Sequence, residues 1–281
     1  MLDHSPRPTS NGISAQLAPS DVSAPPYDEL VAAWKELRRT GDASVREIAC
    51  FAQRTLLLAD VINVPGAPLV ALSAGVHGDE PAGPWALLSI ARDGLLSRTY
   101  NYRIWVCTNP SGYELGTREN AEGRDINRSF NRGGTTPEAR AILTANRDRR
   151  FAVAIDLHED FEADGFYSYE PVVDGTTPLG GAIVQALDDA GLPVQELDDR
   201  FELGYPPEAH HLRSLERGRV LPDPDAERAF FSGTPYSLHM LRRSAKRALT
   251  LETPRRLAWD VRLAMHRIAV VTALERLRPM S

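Results

Sequence analysis

Cysteine is scarce: the 281 residues contain only Cys50 and Cys107. Both fall in apolar, strand-like stretches, EIACFA and RIWVCTN, so they are expected to be buried free thiols. That usage suits a reducing, cytoplasmic compartment. No apolar run approaches the length of about eighteen residues that a membrane-spanning helix needs. The N-terminus lacks a basic segment followed by an apolar core, so no secretory signal is expected. The glycosylation pattern Asn127-Arg128-Ser129 is discounted on the same ground. There is no G-x-S-x-G elbow, no P-loop and no G-x-G-x-x-G turn, which removes serine-hydrolase and nucleotide-binding readings. Positive charge is not in excess either. The net charge of −6 argues against nonspecific nucleic-acid binding.

What is present is an ordinary globular mixture, 42% hydrophobic and 25% charged, enough for one sizeable core. Residues 1–26, rich in Pro, Ser and Ala, read as a flexible N-terminal arm. Residues 27–281 show no internal repeat and no linker, and read as a single domain. Helical spacing marks YDELVAAWKELRRTG, PAGPWALLSIARDG, PEARAILTANRDRR, LGGAIVQALDDAG and AWDVRLAMHRIAVVTALERL. REIACFA and RTLLLADVINV read as a hairpin. APLVALSAGV, NYRIWVCTNP, FAVAIDLHED and RALTLETP read as strands, and GFYSYEPV as a neighbour of FAVAIDLHED. Residues 195–240 read as irregular. The alternation of strands and helices predicts an α/β sandwich with a parallel or mixed central sheet, with functional residues at the strand ends.

Three strand ends carry chemistry. The stretch SAGVHGDEPAG delivers His77 and Glu80 after an apolar run, with Gly78 expected to permit the turn. AIDLHED delivers Asp156, His158 and Glu159. ALTLETP delivers Glu252. Each residue alone is compatible with a polar strand end facing water. Together, His77, Glu80 and His158 form the two-His, one-Glu set of a catalytic zinc site, which leaves a position open for water. Glu252 is then the candidate proton shuttle. Glu159 follows His158 directly, so in a strand it points to the opposite face. Between two elements lies the long polar loop TRENAEGRDINRSF, with Arg118, Arg124, Asn127 and Arg128. Guanidinium forks beside an amide suit a carboxylate grip and an oxyanion stabiliser. His210-His211 reads as solvated or structural.

With the motifs HGDE, NPSG, TRENAEGRDINRSF, DLHE and LETP in this order, the chain resembles the zinc metallocarboxypeptidase family, including its short bacterial members and murein-peptide amidase relatives. The resemblance runs from about residue 70 to 255. It implies a three-layer α/β/α sandwich with a mixed, about eight-stranded central sheet, and one Zn2+ per chain on His77, Glu80 and His158. It implies that Asn127 and Arg128 grip the substrate carboxylate, that Arg118 polarises the carbonyl, and that Glu252 is general base and then general acid. Asp156 would orient a ligand, and Tyr236, with Tyr205 as rival, would cover the site. The expected partner is a peptide or acylated amino acid with a free carboxylate, neither nucleic acid nor membrane. A related branch, the succinylglutamate desuccinylases and aspartoacylases, shares the GVHGDE-like motif and the Asn-Arg pair but carries an added β-rich C-terminal domain. Only 29 residues follow Glu252 here, so the peptidase branch is expected. The alternatives are an N-acyl amino acid deacylase and an inactive metal-binding scaffold.

Overall fold

The computed structural model describes residues 24–131, 133–173, 175–198, 213–223 and 233–277. Its centre is one nine-stranded mixed sheet in the order β1-β2-β4-β3-β5-β9-β6-β8-β7. The strands are β1 (Ser44–Phe51), β2 (Arg54–Val61), β3 (Leu69–Ala74), β4 (Asn101–Trp105), β5 (Val153–Asp160), β6 (Tyr167–Tyr169), β7 (Arg213–Glu216), β8 (Arg219–Pro222) and β9 (Ala248–Pro254). β4, β3, β5 and β9 run parallel, while β1/β2, β2/β4, β6/β9 and β7/β8 are antiparallel. The helices are α1 (Tyr27–Thr40), α2 (Ala82–Arg92), α3 (Pro110–Leu115), α4 (Pro137–Ala145), α5 (Gly180–Asp189), α6 (Tyr236–Arg243) and α7 (Trp259–Arg276).

Alternation along the parallel strands divides the core in two. Val70, Leu72 and Ala74, with Ile155, Leu157, Leu249 and Leu251, pack under α1, α2, α5 and α7. Ala71 and Ala154 face the other way, toward Ile142 of α4 and Met240 of α6. The sheet is therefore covered on both faces, which is why its central strands read as continuous apolar runs. α1 contributes Leu30 and Trp34, both fully buried. Burying one such side chain stabilises the fold by roughly 1.5–3 kcal/mol. Gly41, at φ 85°, ends α1 in the left-handed conformation. At the other helix layer, Thr136 caps α4 by accepting from the Ala139 N–H.

Four expectations need correction. Residues 195–240, read as irregular, hold the β7/β8 hairpin and the start of α6; with that hairpin the described residues form nine strands, in keeping with a mixed sheet of about eight. β6 does not pair with β5: β9 lies between them, antiparallel to β6 and parallel to β5. Cys107 is buried as expected, but Cys50 is exposed, because it lies on the edge strand β1. Gly78 does not adopt a positive φ. A Cβ there would stand 1.9 Å from the backbone carbon of Gly112 and 2.2 Å from the nitrogen of Tyr113. The glycine is required by close backbone approach rather than by turn conformation. Among the described residues no helix is long and apolar enough to cross a membrane. Tyr205 and the His210-His211 pair lie outside the described residues.

The close approach of Gly78 to Gly112 yields a first prediction. Gly78→Ala should destabilise the fold by about 1–3 kcal/mol, since backbone atoms must move to admit the methyl group. Urea unfolding measures it; an unchanged midpoint would contradict the contact.

Candidate metal centre

The sheet register builds the site. β3 ends at Ala74, paired with Leu157 of β5. One residue further along β5 is His158, and its partner on β9 is Glu252. In-register neighbours on parallel strands share a face, so Glu252 lies beside His158. Beyond β3, the chain turns through Gly75, at φ 64°, to His77. Glu80 follows just before α2. All of this gathers at the carboxyl ends of β3, β5 and β9, as the strand pattern predicts.

His77, Glu80 and His158 are each 3% exposed, and their ligand atoms lie within 4.8 Å of one another. Glu80 sits between the two rings. Its Oε1 is 2.5 Å from His77 Nδ1 and its Oε2 is 2.8 Å from His158 Nδ1. The outward ring nitrogens face carboxylates: His158 Nε2 is 3.1 Å from Asp156 Oδ2, and His77 Nε2 is 3.5 Å from Asp125 Oδ1. For His158 this is the pattern of a metal-ligating histidine, whose far nitrogen donates to a carboxylate while the near one keeps its lone pair; His77 Nε2 lies near Asp125 without a hydrogen bond. Arg118 Nη1 stands 3.3 Å from His77 Nδ1, a donor facing a nitrogen that suits a lone pair rather than a proton. The donor set fits a divalent metal such as zinc.

The electrostatics agree. Burial alone would raise Glu80, but His77 and His158 outweigh it and hold the carboxyl well below its usual range. Burial likewise pulls His158 down, yet Glu80, Asp156 and Glu252 push it well up. Asp125 is drawn below its ordinary value: the nearby His77 ring and the charges of Arg118 and Arg128 overcome burial. Glu252 goes the other way. Burial raises it far above a normal carboxyl, with help from Glu80, Asp160 and Asp156, against the pull of His158. The buried carboxylates thus create a strong preference for a cation between the rings.

A cavity of about 310 Å³ opens over the triad, lined also by Arg118, Asn127, Arg128, Tyr167, Tyr169, Ser237, Thr250 and Glu252. The polar loop is built, not idle. Asn120 holds Glu138, and its Oδ1 accepts from the N–H groups of Glu122 and Arg124. Asp125 accepts from the Asn127 N–H and so opens the 3₁₀ turn Ile126–Arg128. It also accepts from Arg118 Nη2 at 3.1 Å, fixing that guanidinium toward His77. Asn127 Oδ1 accepts from the Tyr236 N–H at 2.9 Å, which leaves its two N–H groups to donate. Arg124, by contrast, is exposed and does not line the cavity.

With this geometry in place, comparisons with known proteins become specific. The model of the succinylglutamate desuccinylase/aspartoacylase catalytic domain matches residues 67–195. Escherichia coli murein peptide amidase A is 39% identical over 82 residues, 27% of this chain and 33% of that protein. Arabidopsis thaliana carboxypeptidase SOL1 is 30% identical over 116 residues, 34% of this chain and 24% of that protein. The matches thus span a third or less of these curated relatives. A crystal structure of a candidate metallopeptidase from Shewanella amazonensis superposes with a TM-score of 0.71 at 25% identity, covering 90% of this chain and 93% of that one. Burkholderia cenocepacia metallo-carboxypeptidase shares the fold at a TM-score of 0.64 and 16% identity, covering 88% and 68%. The chain is thus similar, over parts of its length, to a desuccinylase/aspartoacylase catalytic domain, a murein peptide amidase and a carboxypeptidase, and over nine-tenths of it to a solved metallopeptidase-like fold.

Seven of the eight expected site residues meet at one cavity: His77, Glu80, Arg118, Asn127, Arg128, His158 and Glu252. The eighth, Tyr236, does not. It is 1% exposed, with its ring against Phe130 in the core, centroids 5.2 Å apart. As the first residue of α6 it shares the inward face with Met240, whereas Ser237 faces the cavity. The tyrosine rings that line the cavity are Tyr167 and Tyr169 of β6. Tyr167 is in register with Glu252 and donates to Asp160 Oδ2 at 2.6 Å. Sequence reasoning missed Tyr167, because only the strand order brings β6 beside β9. It also missed Asp125, although an Asp two residues before Asn-Arg is a turn signal that could have been read.

Glu159 points away from His158, as strand alternation requires, and its Oε1 accepts from the Ala82 N–H at the start of α2. Its Oε2 forms a buried ion pair with Arg262 of α7. Its own backbone N–H donates to Glu80 Oε2 at 3.1 Å. The pair therefore ties α7, α2 and β5 together directly behind the triad. Burial raises Glu159, opposed by Arg262. Arg262→Leu should cost about 3–5 kcal/mol in urea unfolding, because it strands a buried carboxylate. A loss under ~1 kcal/mol, the range of an exposed pair, would contradict that account.

Proposed function

We propose that this protein is a zinc-dependent hydrolase that cleaves an amide bond beside a free carboxylate, in the manner of a carboxypeptidase. The observation that carries the reading is one cavity in which Glu252, the cross-strand partner of His158, flanks a metal-capable triad while Asn127 and Arg128 line the same wall. A zinc ion on His77, Glu80 and His158 would polarise the scissile carbonyl and lower the pKa of water to about 7. Glu252 takes the proton from the attacking water and then delivers it to the leaving amine, a cycle suited to a carboxyl whose pKa is raised. Arg118 faces the oxygen on which negative charge develops. Asn127 donates from its amide, and Arg128 pairs with the substrate carboxylate, setting which bond lies over the triad. Residues 27–281 act as one catalytic unit in this reading. The exposed, unpaired Cys50 suits a cytoplasmic setting.

The second reading is an N-acyl amino acid deacylase, favoured by the desuccinylase/aspartoacylase match over residues 67–195. It uses the same machinery on a smaller substrate. A panel of peptides against N-acyl amino acids separates the two, with the faster class naming the branch. An inactive scaffold has no use for Glu252 and predicts no turnover on either.

Three outcomes follow. Glu252→Gln should lower turnover by about 10²–10⁴-fold, the share typical of general acid–base catalysis, while metal content by plasma mass spectrometry stays at wild-type level. Full activity in that variant would remove Glu252 from the mechanism. Metal content should fall in both His77→Ala and His158→Ala. In the wild type, metal affinity should rise with pH. His158 has a raised pKa, so at neutral pH the metal must displace a proton from it, and fewer protons compete as pH increases. Titration with a chromophoric chelator at several pH values tests this; a flat profile would contradict it.

A further inference from the structure

A second cavity, of about 510 Å³, shares no described lining residue with the metal cleft. Its wall combines Arg140 of α4, the turn after α4 with Arg147, Arg149 and Arg150, and His239 and Arg243 of α6. Five arginines, all exposed, thus line one surface depression in a chain whose net charge is −6. The single acid among the described lining residues is Asp148. Several arginines elsewhere are matched: Arg103 with Asp60, Arg217 with Asp188, Arg256 with Asp164, Arg262 with Glu159. Among the described residues, no carboxylate pairs with any of the five.

The turn that presents three of them is a fixed structure. The Arg147 N–H donates to Thr144 O at 3.2 Å, and the Arg149 N–H to Asn146 O at 3.1 Å. Between them Asp148 takes φ 62°, a left-handed conformation that costs a non-glycine residue of order 1 kcal/mol and that tends to persist at binding sites. Opposite, His239 is held by its Nδ1, 2.6 Å from Phe130 O. That contact places the proton on Nδ1 and leaves Nε2 as an acceptor. An acceptor set among cations suits a ligand bearing hydroxyl groups as well as negative charge.

We propose that this cavity is a binding site for a phosphate-bearing small molecule carrying two or more negative charges. Planar guanidinium forks match phosphate oxygens, and five forks exceed what one carboxylate accepts. The volume falls in the range of small-ligand sites, roughly 300–1,000 Å³. The site is independent of the hydrolase reading, because none of its described lining residues lines the metal cleft.

The test is calorimetric titration of the full chain with inorganic phosphate, pyrophosphate and citrate at constant ionic strength. Pyrophosphate should bind, more tightly than phosphate or the tricarboxylate. Arg147→Ala/Arg150→Ala should weaken it by ~10-fold or more; Arg149→Ala/Arg243→Ala serves as the second variant if the first has an altered unfolding midpoint. His77→Ala, which disrupts the triad, should leave pyrophosphate affinity unchanged. The proposal is overturned if pyrophosphate does not bind, if binding survives both arginine pairs, or if it vanishes in His77→Ala. Binding of duplex DNA without pyrophosphate binding overturns it as well, since that is a surface response to a polyanion.

Discussion

The structure turns on one buried carboxylate. Glu80 lies between two imidazoles, 2.5 and 2.8 Å from their Nδ1 atoms, with almost no exposure to water. An ionised carboxyl in such a place is tolerable only beside positive charge. Everything near it supplies or directs that charge. Asp156 and Asp125 stand behind the rings, the Glu159 N–H holds the second oxygen, and Arg118 approaches from the loop. The arrangement could hold a divalent cation, which would satisfy all of these donors together.

The fold supplies this precision through backbone register. His158 and Glu252 are cross-strand partners, and Ser73, the partner of Asp156 on β3, donates to Asp156 Oδ1 at 2.6 Å. Asp156 is thereby held with its other oxygen toward His158. The same face of β9 that carries Glu252 carries Thr250 and Ala248 into the cavity, while its opposite face is Leu249 and Leu251 in the core. Strand alternation thus divides one short segment between packing and chemistry.

Charge is sorted by position across the molecule. Carboxylates concentrate around the triad, guanidinium groups at the rim of the cleft, and a separate group of arginines around the second cavity. α6 serves both cavities: Ser237 at its first turn faces the cleft, and His239 and Arg243 face the arginine group. Its attachment to the loop is the Tyr236 N–H donating to Asn127. The tyrosine thus serves the site through its backbone, although its ring belongs to the core.

Much was legible along the chain. The apolar runs APLVALSAGV and FAVAIDLHED are β3 and β5, and the polar residues that end them are the metal-capable set, because strand ends at a sheet rim are where buried backbone meets solvent. Helix spacing located α1, α2, α4, α5 and α7, since one amphipathic stripe suffices to define a helix that packs on a sheet. Tertiary structure alone decided the rest. That β9 inserts between β5 and β6 depends on long-range pairing, which no local pattern encodes; so Tyr167, rather than Tyr236, came to face Glu252. The need for glycine at position 78 arises from the backbone at Gly112, and the pairing of Glu159 with Arg262 joins elements 103 residues apart. Local chemistry fixes which groups are available, and only the packed sheet fixes which of them touch.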